Sequence, residues 1–127
     1  MKTRTSTLIG PALDWLVAKC RGYSEIKIYL PHRPTDRGWI EVRFNPEPKA
    51  TTARFDPTEN WFLGGPIIER GGIAVERKII EGTTEHEWKA YVPYIHAYGP
   101  TPLIAAMRCY VASKLGDEVE VPDALLS

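Results

Sequence analysis

The sequence predicts an α+β fold: an antiparallel sheet of two hairpins packed against two main helices, in a single domain spanning residues 1–127. Three observations predict it. Residues 99–116 carry helical spacing with a start and a stop signal at their ends. A second such stretch opens at Gly10-Pro11 and closes at Gly22. Between and after them, segments that alternate apolar and polar residues come in pairs joined by turn-type residues, as strands of hairpins do.

From the N-terminus, the polar, threonine-rich residues 1–9 predict a short extended arm or edge strand. Pro11 suits a first helical position, and Leu13, Leu16, Val17 and Cys20 form one apolar face, with Trp15 roughly opposite. Ile26, Ile28 and Leu30 then alternate with Lys27 and Tyr29; after a Pro-, Gly- and Arg-rich loop, Ile40, Val42 and Phe44 alternate with Glu41 and Arg43. These two strands should pair antiparallel. The prolines at 46, 48 and 57 predict an irregular stretch from Asn45 to Pro57. Gly64-Gly65 before Pro66 predicts a tight turn, with a one-turn helix from Pro66 to Arg70 broken by Gly71-Gly72. Ile73–Ile80 and His86–Val92 predict the second hairpin, with Trp88 and Val92 on one face. The main helix follows: Thr101 as N-cap, Pro102 at the first position, and a stripe of Leu103, Ile104, Met107, Val111 and Leu115, with Gly116 as a left-handed C-terminal cap. Val119 and Val121 predict a short last strand.

Composition narrows the function. At 43% hydrophobic and 25% charged residues, the chain resembles an ordinary globular domain. It has no apolar run near the roughly 20 residues a membrane span needs, and no apolar core of a secretory signal. Sixteen basic residues balance sixteen acidic ones. Ten basic and seven acidic side chains fall in residues 1–60, six and nine in 61–127, an asymmetry too small to suggest binding of duplex DNA. Cys20 and Cys109 make neither a disulfide framework nor a zinc site and are expected as buried thiols in a reducing cytoplasm. His86-Glu87 begins a zinc-protease motif, but Ala90 stands where the second histidine is needed. No metal or cofactor is called for.

Four features can carry chemistry. His32, Arg33 and Arg37 share a loop and make either a phosphate-contacting cluster or a solvated surface. The Gly64-Gly65-Pro66 turn can present free backbone N–H groups to an anion, with Trp61 stacking on a base and Arg70 pairing with a phosphate; alternatively the glycines permit a tight crossing and Trp61 fills the core. Thr101 marks a second helix start able to seat an anion. Arg108 interrupts the apolar surface of the main helix; it can snorkel to solvent, pair with Glu69 or another carboxylate, or point into a pocket, a structural ion pair being the commonest outcome for such a residue. Tyr91, Tyr94, Tyr98 and Tyr110 add aromatic surface nearby.

Three blocks resemble the NinX-type proteins of lambdoid and related phages: Gly10 to Cys20, Trp61 with Gly64 to Arg70, and Gly99 to Pro122. Residues from about 24 to 57 depart from the pattern in this reading. The family is one of unknown function, so the resemblance implies a setting more than a mechanism: a small accessory protein of a phage or prophage, made in the bacterial cytoplasm. It also selects the site candidates: Trp15, Trp61, Gly64, Gly65, Glu69, Arg70, Thr101 and Arg108.

The leading expectation is non-catalytic binding and sequestration of a nucleotide-like small molecule, such as a cyclic nucleotide or ADP-ribose derivative used as a host immune signal. The alternative is an interaction factor acting on a host or phage enzyme of DNA metabolism, for which exposed Trp15 and Trp39 would serve as anchors. A third reading, a nucleotide hydrolase with Glu69 or Asp14 as base, has the least behind it. A homo-oligomer is expected, because so small a chain can build a pocket between subunits. The central expectation is geometric: the two turn-to-helix junctions lie side by side, and Trp61, Arg70 and Arg108 converge on an open hollow.

Overall fold

The computed structural model describes every residue except 24, 32, 34–37, 45–50 and 127. Among the described residues the α+β class holds, but the sheet is divided. Strands β1 (Lys2–Arg4) and β8 (Glu118–Glu120) form an antiparallel pair. Strands β2 (Ile26–Tyr29), β3 (Trp39–Phe44) and β4 (Thr51–Arg54) form a three-stranded antiparallel sheet. A third sheet joins β5 (Ala74–Ile79), β6 (His86–Val92) and β7 (Ile95–Gly99) in that order. There are three α-helices rather than two: α1 (Gly10–Cys20), α2 (Trp61–Gly71) and α3 (Pro102–Leu115).

The reason for the division lies in how the helices pack. α1 lies against β3 and α3, whereas α3 lies against α2 and all three strands of the β5–β7 sheet. Each three-stranded sheet therefore covers its own helix, and the helices meet in the middle. α3 is buried on most sides: Leu103, Ala105, Ala106, Met107, Cys109, Tyr110 and Val111 are all in the core. Its two buried alanines, Ala105 and Ala106, and its cysteine are what allow neighbours to approach from several directions. Leu115, placed on the apolar stripe by its spacing, is 48% exposed beyond the last packed turn. Gly116 does cap the helix with positive φ, but at φ 88° and ψ −168° it sits in an extended region open to glycine rather than in the left-handed helical one.

Two local expectations are corrected. Residues 51–54 are a strand, not part of an irregular stretch: Thr51 and Thr52 favour extended backbone, and β3 offers an edge to pair with, in the register Glu41↔Arg54 to Phe44↔Thr51. The prolines bound this strand rather than abolish it, and residues 45–50 lie outside the described residues. Around Pro66 the helix does not start but continues. Asn60 caps α2 six residues earlier, its Oδ1 accepting the Phe62 N–H at 3.0 Å, and Gly72 ends it at φ 60°, ψ 36°.

The termini are tied together. β1 continues into a 3-10 turn at Thr5–Thr7, where the Thr5 N–H donates to the Asp117 carbonyl at 2.9 Å and the Thr5 hydroxyl to the Gly116 carbonyl at 2.8 Å. This fastening sets one wall of the site.

Candidate functional site

Arg108 is the residue around which the site is built. It leaves α3 on the side where β7 ends, and β7 can end there only because of Gly99. A Cβ at Gly99 would lie 2.8 Å from the Ala105 nitrogen, so the absent side chain lets the strand close on the first turn of α3. That approach puts the Tyr98 carbonyl within reach, and Arg108 Nη1 donates to it at 2.7 Å. Arg108 Nε donates to the Leu8 carbonyl at 2.9 Å. The helix, the third sheet and the N-terminal arm are thus joined by one side chain.

Those two bonds use two of the five N–H groups of the guanidinium, and no carboxylate pairs with it among the described residues. The expected ion pair with Glu69 does not form: Glu69 is exposed on α2, whereas Arg108 is half-buried and satisfied in part by neutral carbonyls. Burial accordingly holds its pKa below the ordinary arginine value. A cation left without a counter-charge in a partly desolvated place is a point of strong attraction for an anion.

Beside Arg108 lies a cleft of about 420 Å³. Thr5 and Ser6 of the N-terminal turn and Asp117 after α3 form one side, held there by the Thr5 bonds to residues 116 and 117. His86 and Glu87 at the start of β6, with His96 and Tyr98 of β7, form the other. Its size falls within the ordinary range for small-molecule sites. The chemistry on offer is a fixed cation, histidine and tyrosine side chains, the Ser6 hydroxyl, and the carboxylates of Glu87 and Asp117.

A second hollow of about 620 Å³ opens between the start of α1 and the C-terminal segment, with largely aliphatic walls such as Leu8, Ile9, Leu30, Ile104 and Leu125. Asp14 lies in α1 close by, 4% exposed, and its Oδ1 accepts the Thr58 N–H at 3.0 Å. Burial pushes its pKa up to about 7; the Thr58 bond pulls the other way, and the charges of Asp56 and Glu59 add to the rise. The Thr58 hydroxyl, itself buried, lies near enough to favour the ionised carboxyl yet makes no hydrogen bond of ordinary geometry.

The convergence expected from the sequence does not occur. The starts of α2 and α3 do lie side by side, but the space between them is filled: a Cβ at Gly64 would lie 2.6 Å from Leu103 Cδ2 and 2.6 Å from the Pro57 carbonyl oxygen. The glycine pair cannot seat an anion either. It lies inside α2, where the Gly64 N–H already donates to the Asn60 carbonyl at 2.9 Å. Thr101 spends its hydroxyl on its own helix, accepting the Ile104 N–H at 3.1 Å. Trp61, at 55% exposure, and Arg70 lie on the surface of α2, away from the cleft wall. Trp15 is half-buried against the core with the Lys19 ammonium 5.4 Å from its ring centroid. Trp39 stacks on Tyr29 at 4.1 Å. Of the eight candidates, Arg108 alone lines the cleft.

The sequence does not point to Thr5, Ser6, His86, Glu87, His96 and Asp117 as a group, because they come from four separate segments and no local spacing joins them. The signal that existed was weak: two histidines on the two strands of one hairpin. Asp14 and Glu69, considered as bases, do not face the cleft. In the loop cluster of His32, Arg33 and Arg37, residues 32 and 37 lie outside the described residues. Cys20 and Cys109 are free, and burial raises both thiol pKa values. No group of three or more metal-binding side chains occurs among the described residues. Nor is any helix among them long and apolar enough to cross a membrane.

Fold and cleft together define a small α+β protein with a cation exposed to a cavity of small-molecule size. The family model described as Bacteriophage P22, NinX matches residues 4–114, and the chain belongs to that family of phage proteins. The match runs through residues 24–57, which the block-by-block resemblance had set apart. No curated protein is found to match the chain.

Proposed function

We propose that this phage accessory protein binds a nucleotide-like small molecule in the Arg108 cleft and holds it without chemical conversion. One observation carries the reading: a half-buried guanidinium beside a 420 Å³ cleft keeps three N–H groups unspent and has no carboxylate partner among the described residues. A phosphate can take up those unspent N–H groups. Glu87 and Asp117 can accept hydrogen bonds from sugar hydroxyls, and Tyr98, His86 or His96 can cover a base. Sequestration of a host immune signal is the use that fits a phage setting. The test is thermal denaturation with nucleoside monophosphates, ADP-ribose and cyclic dinucleotides. A ligand at 100 times its Kd stabilises by about 2.7 kcal/mol, a melting shift of several degrees in a chain this small. Arg108→Gln should remove that shift. No shift with any of these ligands would overturn the reading.

A second reading is favoured by Trp61 and Phe62, 55% and 84% exposed at the start of α2. Aromatic pairs so placed serve as anchors for a second copy of the chain, making a homo-oligomer, or for a host enzyme. Sedimentation and co-purification from infected cells, each repeated with Trp61→Ser and Phe62→Ser, separate the two.

A further inference from the structure

The sheet of β5, β6 and β7 has one face against α3 and the other uncovered. Ala90 opposite Ala97 and Trp88 opposite Gly99 point inward; Tyr91 opposite His96 and Lys89 opposite Tyr98 therefore point out. An outward face is ordinarily polar. The β5 half obeys, with Glu76 opposite Lys89 and Lys78 opposite Glu87. The β7 half does not. Tyr91 is 36% exposed, Tyr98 is 45% exposed, and His96 is exposed between them. The Tyr91 and His96 rings lie 6.2 Å apart, and strand geometry sets the Cα atoms of His96 and Tyr98 about 6.6 Å apart. The Lys89 ammonium sits 5.2 Å from the Tyr91 ring centroid. The row is also continuous with the cleft, since His96, Tyr98 and Glu87 belong to both.

We infer that this face binds single-stranded RNA, with successive bases stacked along Tyr98, His96 and Tyr91 and one phosphate held by Arg108. Rings spaced a residue pair apart on an open sheet offer a platform for unpaired bases, which a duplex cannot present. Lys89 and Arg108 face the backbone charge with Glu76 opposite the one and Asp117 beside the other, so the rings carry most of the binding; Glu87 beside the row would repel a phosphate but accepts a hydrogen bond from a ribose 2′-hydroxyl. The inference shares only the phosphate seat with the cleft reading; the tyrosine platform is additional.

The experiment is fluorescence anisotropy with a labelled oligouridylate of about eight nucleotides, competed by UMP and by the matching oligodeoxyuridylate. The oligouridylate should bind at least about tenfold more tightly than UMP, and Tyr91→Ala and Tyr98→Ala should each weaken it about fivefold or more. Tyr91→Ala should leave UMP binding unchanged, because Tyr91 lies outside the cleft wall. With two cations engaged, log K should fall against log salt with a slope of about −1.4. An oligomer no tighter than UMP, an unchanged affinity in folded Tyr91→Ala, or a DNA oligomer bound equally well would each overturn the inference. Tyr91-dependent oligomer binding without UMP binding would uphold it while sinking the cleft reading.

Discussion

Replacing Asp14 by Asn should make the protein more stable in alkaline solution while changing little in acid. In the native chain the carboxyl is 4% exposed, has one hydrogen bond from the Thr58 amide, and has no cation beside it. Its pKa rises from 3.8 to about 7, chiefly through burial. The sign follows from proton counting. Between pH 4 and 7 the folded chain holds a proton that the unfolded chain has lost, so stability falls as pH rises and the loss is complete above pH 7. At about 1.4 kcal/mol per pH unit, the interval from pH 5 to pH 8 costs the native protein about 2–3 kcal/mol. Asn keeps the Oδ1 acceptor for Thr58, supplies an N–H that can reach the partnerless Thr58 hydroxyl, and does not ionise. Urea denaturation followed by tryptophan fluorescence, run on both proteins at pH 5 and pH 8, isolates this group because titrations not coupled to Asp14 cancel in the difference, and the coupled carboxylates Asp56 and Glu59 have a smaller influence than burial. The advantage of Asp14→Asn should grow by about 2–3 kcal/mol from pH 5 to pH 8. A difference independent of pH, or one that grows toward acid, would refute the reasoning.

Neighbouring glycines of α2 should respond differently to the same substitution. Gly65→Ala meets open space beyond its chain neighbours, but its gain in helix propensity is set against the crowding of a Cβ by the following Pro66 ring, so stability should change by less than about 0.5 kcal/mol. Gly64→Ala places a methyl 2.6 Å from the Pro57 carbonyl and should destabilise by about 1–3 kcal/mol; chemical denaturation of the pair checks the contrast. Tyr94 holds φ at 69° at the tip of the β6–β7 hairpin, where its ring is fully exposed. Tyr94→Gly should therefore gain about 1 kcal/mol, read as a higher denaturation midpoint. Met107→Ala, in the middle of buried α3, should cost about 2–5 kcal/mol in the same assay.

The parts of the fold legible in the sequence were those whose causes are local. Thr101, Pro102 and Gly116 bound α3 because caps act within one turn, and Ile26 to Tyr29 and Trp39 to Phe44 announce themselves by alternation. α2 is not legible in the sequence because two glycines and a proline look like punctuation. Gly64 is there instead to let α2 approach Leu103 and Pro57. Pro66 deprives the Phe62 carbonyl of its helical donor, which is tolerable at an 84% exposed residue that water can reach. β4 is a strand because β3 offers it an edge, a fact held by the partner rather than by its own four residues. The site divides the same way. Arg108 was visible as a charge out of place on an apolar helix, but its two carbonyl partners are 100 and 10 residues away, and Thr5, His86 and Asp117 reach the cleft only through tertiary folding.

The most direct test of the central claim is a two-dimensional NMR titration of the labelled protein with UMP, following the backbone amides and the Arg108 Nε–H together. The account predicts that Arg108 Nε–H and the amides of Thr5, Ser6, Gly99 and Asp117 shift along one saturating curve, while Trp61 and Phe62 at the start of α2 stay in place. Silence at Arg108, or movement confined to α2, would contradict it.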